Sequence, residues 1–78
     1  MDLKDLKIKV KLNSKIPSDS YSLVGGLPNE ALCINNNGKQ WEVYYSERGN
    51  KTNLKIFNSE NDACEYFYNS LLKMLGLE

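Results

Sequence analysis

The segment from Asn35 to Phe57, NNNGKQWEVYYSERGNKTNLKIF, limits the fold of this chain more than any other stretch. Trp41, Val43 and Tyr45 recur at every second position. That period places them on one face of an extended strand, with Gln40, Glu42, Tyr44 and Ser46 on the other. Asn37-Gly38 precedes the strand and is the dipeptide a type I′ turn favours, because both central residues of that turn need φ > 0. Arg48-Gly49-Asn50 offers a second reversal, after which Leu54 and Ile56 repeat the two-residue spacing. The reading is a central hairpin with one apolar face that another element must cover.

Seventy-eight residues allow one small domain, 1–78. A chain this short buries only about 60–65 % of its unfolded surface, and dimerisation would relieve that limit. Net charge is zero but unevenly spread: residues 1–16 hold five lysines against Asp2 and Asp5. A nucleic-acid-binding protein shows a wider basic surface, so that class is disfavoured. No apolar run approaches the ~20 residues that span a bilayer, and no apolar core of a signal peptide follows the N-terminal lysines. Cys33 and Cys64 are too few for a disulfide scaffold. A soluble cytoplasmic protein with reduced, buried thiols is expected.

The C-terminal element has the clearest pattern. Ser59 is placed to cap a helix, Glu60 and Asp62 suit its positive end, and Ala63, Phe67, Leu71 and Met74 follow at helical spacing up to Gly76. This stripe is the natural cover for Trp41, Val43 and Tyr45. Tyr21-Ser22-Leu23 and Ala31-Leu32-Cys33-Ile34 are short strands separated by Gly25-Gly26-Leu27-Pro28. Residues 2–13 fit two patterns. Leu6, Ile8, Val10 and Leu12 alternate as in a strand, while Leu3, Leu6 and Val10 form one stripe of a helix that Asp2 would cap. Ile16-Pro17 ends either element.

The chain offers little to catalysis. It has no histidine, which removes the commonest general base and the usual metal ligand. Two cysteines about thirty residues apart cannot complete a zinc site alone. Gly25-Gly26 lacks the Lys-Ser/Thr of a phosphate loop and reads as a turn. Glu42 and Glu47, on an open strand and its turn, are expected to be solvated. No enzyme, cofactor or metal is expected. A mixed aromatic and charged surface of Tyr44, Glu42, Glu47 and Arg48 is instead the candidate partner-binding site, with Tyr44 as its anchor.

Tyr21-Ser22-Leu23, Gly25 to Glu30, the string WEVYYSERG from Trp41 to Gly49, Phe57, and Ala63-Cys64-Glu65-Tyr66 together resemble a family of small bacterial immunity proteins. That family is associated with polymorphic toxins and contact-dependent growth inhibition, and the likeness covers most of residues 17–72. The resemblance implies a cognate toxin domain as partner, often a nuclease, and tilts residues 2–13 towards helix. It supplies no catalytic motif. The expected fold is α+β: an N-terminal helix, a four-stranded antiparallel sheet, and a C-terminal helix on one sheet face. That order is superficially that of a double-stranded-RNA-binding domain, but Glu60 and Asp62 stand where such a domain needs cations. The expected function is toxin neutralisation by occupancy, the carboxylates standing in for substrate phosphates in a basic cleft. The alternative is a protein-binding or dimeric regulatory module without a toxin partner.

Overall fold

The computed structural model describes residues 1–77. The elements are helix α1 (Leu3–Leu12), strands β1 (Tyr21–Ser22), β2 (Ala31–Asn36), β3 (Trp41–Glu47) and β4 (Asn50–Phe57), and helix α2 (Glu60–Met74). The fold is α+β as expected. Residues 3–12 form the helix rather than the strand. The Asp2 carboxylate accepts from the Asp5 N–H at 2.8 Å, and Leu6 and Val10 are buried, while Ile8 and Leu12 are left exposed. The Glu60 carboxylate at the start of α2 accepts from the Leu3 N–H at 2.7 Å. One carboxylate therefore serves the positive ends of both helices.

Helix α2 is bounded as its sequence dictates. Ser59 Oγ accepts from the Asp62 N–H at 3.3 Å. At the other end Gly76 takes φ 70°, so that its N–H reaches the Lys73 carbonyl and the Leu77 N–H reaches the Leu72 carbonyl. These two bonds form a Schellman motif. Ala63, Cys64, Phe67 and Leu71 are buried against Leu32, Ile34 and Val43 of the sheet, with Leu6, Val10 and Ile16 closing the core. Met74 departs from the expected stripe: it is 43 % exposed.

The sheet, in spatial order β1-β2-β3-β4, is mixed rather than wholly antiparallel, because β1 runs parallel to β2. A parallel pair requires the chain to cross over between its strands. Here residues 23–30 make that crossing, and they do so over the sheet face that α2 leaves open. Gly25 is pressed so close to β2 that a Cβ at its position would stand 2.8 Å from the Asn35 side chain, and its φ of 72° also favours glycine. The Tyr44 hydroxyl donates to the Gly26 carbonyl at 2.7 Å, and the Ser46 hydroxyl donates to the Pro28 carbonyl at 2.6 Å.

Both turns around β3 reverse the chain, but by different means. Between β3 and β4, Arg48 (φ 51°) and Gly49 (φ 76°) form a two-residue turn of the I′ kind, with Glu47 paired to Asn50. Before β3, Asn36 pairs with Trp41, so four residues make the loop and Asn37 takes no positive φ. Asn37 instead turns its side chain inward, Oδ1 accepting from the N–H groups of Lys39 and Gln40 at 2.9 and 2.8 Å. Such a side-chain cap replaces the backbone turn its sequence suggested.

Strand β4 holds the main surprise. Tyr45 pairs with Thr52 but Val43 pairs with Lys55, so β4 carries one extra residue opposite Tyr44. The left-handed backbone of Asn53, φ 53°, marks the bulge. Without it Leu54 and Ile56 would face α2 beside Val43 and Trp41. A one-residue slip exchanges the faces. Leu54 and Ile56 therefore lie on the opposite face, each 45 % exposed, and Lys55 and Phe57 take the helix side. No helix among the described residues is long and apolar enough to cross a membrane.

Phe67 is fully buried between α2 and the sheet. Phe67→Ala is expected to lower the unfolding free energy by about 3–5 kcal/mol in a denaturant titration. A loss under about 1 kcal/mol would contradict the helix-on-sheet core.

Candidate functional site

The four residues expected to form one partner surface are not brought together. Tyr44 and Glu42 share the face opposite α2, Glu47 has the parity of Tyr45 and belongs to the other face, and Arg48 sits exposed in the β3–β4 turn. Tyr44 is not an exposed anchor, since only 1 % of its surface is accessible. The alternation placed it correctly opposite Trp41 and Tyr45. That face, however, is roofed by residues 23–30, which the strand pattern alone does not reveal.

Beneath this roof the polar groups are internally matched. Tyr44 lies across from Cys33 on β2, and the Lys51 ammonium stands 4.6 Å from the Tyr44 ring centroid. The same ammonium is 3.3 Å from Glu42 Oε1, the single ion pair among the described residues. Partial desolvation opposes ionisation of Glu42, but hydrogen bonds from Asn37 and Lys51, with the charge of Lys51, prevail and hold its carboxyl below the usual range. Burial pushes the Tyr44 phenol up to about 12, with Cys33 and Glu42 adding to the effect. Burial likewise raises the Cys33 thiol, and Cys64 is pushed up to about 11, chiefly by burial and then by Glu60. Both thiols are free, buried and held in their protonated form, the state of a packing residue rather than a nucleophile.

An open concavity lies on the opposite face, beside the β4 bulge. Helix α2 packs over β2 and β3 and reaches β4 at Phe57, while β4 presents Lys55 opposite Val43. An open groove of about 360 Å³ is left, lined by Leu32, Val43, Tyr44, Tyr45, Asn53, Tyr66, Ser70 and Met74. Tyr66, Ser70 and Met74 succeed one another at i, i+4 and i+8, so one flank of α2 forms the groove's wall. At the far end Phe57 meets Tyr66, ring centroids 5.2 Å apart and tilted by 43°. Tyr68 turns the other way, towards α1, where Lys9 stands 5.4 Å from its ring centroid. The two tyrosines that bracket Phe67 therefore serve different surfaces, and Tyr66, 37 % exposed, serves the groove.

Ala31 and Ser46 form the last pair between β2 and β3 at the Tyr45 end; Glu30, a turn residue with φ 53°, precedes the one and Glu47 follows the other. Partial desolvation, then the charges of Glu30 and Glu47, raise the Tyr45 phenol above its usual value. Sequence reasoning had selected Glu47 but neither Glu30 nor Tyr45. The signal available was the parity of Glu47 with Tyr45, which sets it apart from Glu42 and Tyr44. No cluster of three or more His, Cys, Asp or Glu among the described residues is placed to hold a metal ion.

No family model, curated protein or solved structure matches the chain.

Tyr44→Phe tests the roofed face. Loss of the hydroxyl leaves the Gly26 carbonyl without its donor, and about 1–1.5 kcal/mol of stability should go with it at neutral pH. The raised phenol adds a pH signature. A proton held more tightly in the folded than in the unfolded chain stabilises fully below the ordinary value of 10.0, and that contribution is lost as pH rises through about 12. The wild-type advantage over Tyr44→Phe should therefore shrink between pH 10 and 12 in paired denaturant titrations. An advantage that holds constant across that window would contradict the burial of the phenol.

Proposed function

We propose that this chain is a protein-binding module that acts by occupancy, and specifically an immunity protein that neutralises a bacterial toxin domain. The observation that carries the binding reading is the groove between α2 and β3–β4. Its lining is apolar and aromatic, its wall is a regular helix flank, and its floor is a sheet fixed by the core beneath. Its volume falls at the lower end of the range for sites that bury most of a small ligand or a few anchoring side chains. Tyr66 and Met74 supply what protein interfaces favour at their centres: an aromatic with a polar tip and a flexible thioether that adapts to its partner.

Other surfaces support binding less well. The sheet face around Tyr44 is occupied by the chain's own residues 23–30, and Glu42 is already engaged by Lys51 and Asn37. The specific reading as an immunity protein draws on the resemblance through Trp41–Gly49 and its flanking segments. Within that reading the inhibitor needs no reacting group, because covering the toxin's active surface suffices. The rigid groove keeps the ordering cost of binding small.

The experiment is a growth-protection assay. The chain is co-expressed with the domain encoded by the neighbouring open reading frame, and a pulldown from the same cells measures affinity. Tyr66→Ala combined with Met74→Ala should weaken binding at least tenfold, about 1.4 kcal/mol, and abolish protection while a thermal melt still shows a folded protein. Glu42→Gln on the opposite face should protect like wild type. Full protection by the folded groove variant would overturn the assignment of this surface. Failure of the wild type to bind the adjacent domain would overturn the toxin reading.

A further inference from the structure

Helix α1 buries Leu6 and Val10 and turns a second apolar feature to the outside. Ile8 stands two residues from each of them, a little over half a helical turn, so it points away from the core. It is 51 % exposed, and Leu12, one turn further along the same crest, is 79 % exposed. Lysines flank this crest. Lys4, Lys7 and Lys11 succeed one another at i, i+3 and i+7 on one side, and Lys9 lies on the other, over Tyr68. Lys4, Lys7 and Lys11 are exposed, and none is in an ion pair, since the single one among the described residues is Lys51–Glu42. Lys15, just beyond the helix, is exposed as well. Acid enters on the α2 side, where Asp5 lines a shallow cleft with Ile8, Lys9 and Glu65. Residues 1–16 hold five lysines against Asp2 and Asp5 in a chain of zero net charge, so the rest of the molecule carries the balancing negative charge. The charge is polarised, with its positive end at α1.

We propose that the outer face of α1 docks on an anionic membrane surface, Ile8 and Leu12 entering the headgroup layer while the flanking lysines reach the lipid anions. A helix lying in the interface combines these two features, apolar side chains at its lowest line and cations beside them. The type of cation selects this occupant. All five cations of residues 1–16 are lysine, whose flexible stem covers apolar surface while its ammonium stays hydrated. Protein interfaces instead favour arginine and are depleted in lysine, and the chain's one arginine, Arg48, lies in the β3–β4 turn. Nucleic acid would use the lysines but set Ile8 and Leu12 against its phosphates. A bilayer uses both and needs no matching hollow. With two apolar side chains the contact is peripheral and reversible, and the negative remainder of the molecule turns away from the lipid. No residue of α1 lines the groove, so this surface is separate from the one proposed to hold a protein partner.

Co-sedimentation of the full chain with phosphatidylcholine vesicles, with and without about 30 % phosphatidylserine, tests this. At low salt the chain should bind the anionic vesicles at least about tenfold more tightly than the neutral ones, and in about 0.5 M NaCl that preference should fall below about twofold. Lys4→Gln/Lys7→Gln/Lys11→Gln should lose at least about tenfold on the anionic vesicles, and Ile8→Ser/Leu12→Ser about fivefold. Both variants change exposed side chains and should stay folded in a thermal melt. Absence of binding to either vesicle at low salt, or equal binding to both, would overturn the proposal. Binding that survives Ile8→Ser/Leu12→Ser in full would mark a bare polyanion contact, nucleic acid included, and would overturn the membrane assignment.

Discussion

The hydrogen bond from Tyr44 to the Gly26 carbonyl fixes which side of this small sheet is inside. A domain of this length cannot leave an aromatic-bearing central strand open on one face and still bury enough surface. Helix α2 covers only one side of β2 and β3. The crossover of residues 23–30 covers the other, and Tyr44 and Ser46 reach up from β3 to the carbonyls of Gly26 and Pro28 that a buried loop would otherwise leave unmatched. Gly25 permits the close approach and the parallel β1–β2 pair follows from the path. Cys33, Tyr44 and Ser46 together make a second, thinner core beneath that roof.

With that face closed, a groove on the helix side stays accessible, and the inserted residue of β4 lines it. The bulge at Asn53 sends Leu54 and Ile56 to the far face and leaves Lys55 beside Val43. Helix α2 meets β4 where Tyr66 touches Phe57, and the flank of Tyr66, Ser70 and Met74 stays partly bare. Bulges commonly re-aim side chains next to functional surfaces, and here the bulge residue Asn53 lines the groove. The proposed site is thus a consequence of register, not of an added loop.

Local signals in the sequence were read correctly where a residue's task is settled by its own neighbours. Asp2 and Ser59 cap their helices, Gly76 ends α2 with positive φ, and Arg48-Gly49 turns the β3–β4 hairpin. The alternation of Trp41, Val43 and Tyr45 assigned the helix-facing side of β3. What escaped was decided at longer range. Nothing adjacent to Tyr44 says that Gly26, 18 residues earlier, will return to meet it. The spacing of Leu54 and Ile56 gives their shared face but not which face, because one extra residue at Asn53 reverses the answer. Residues 3–12 fitted strand and helix alike, and tertiary burial of Leu6 and Val10 against α2 decided for the helix. The candidate site inherited these errors: the side chains of Tyr44 and Glu42 belong to the roofed face, and none of Glu42, Glu47 and Arg48 lines the groove.

The central claim is that Tyr44 is inside and Tyr66 outside. Nitration of the native chain by tetranitromethane, resolved by mass spectrometry of its peptides, measures this directly. Tyr66 should be modified early, and Tyr44 should stay unmodified until the protein is unfolded in denaturant. Nitration of Tyr44 in the native chain at a rate matching Tyr66 would contradict the account.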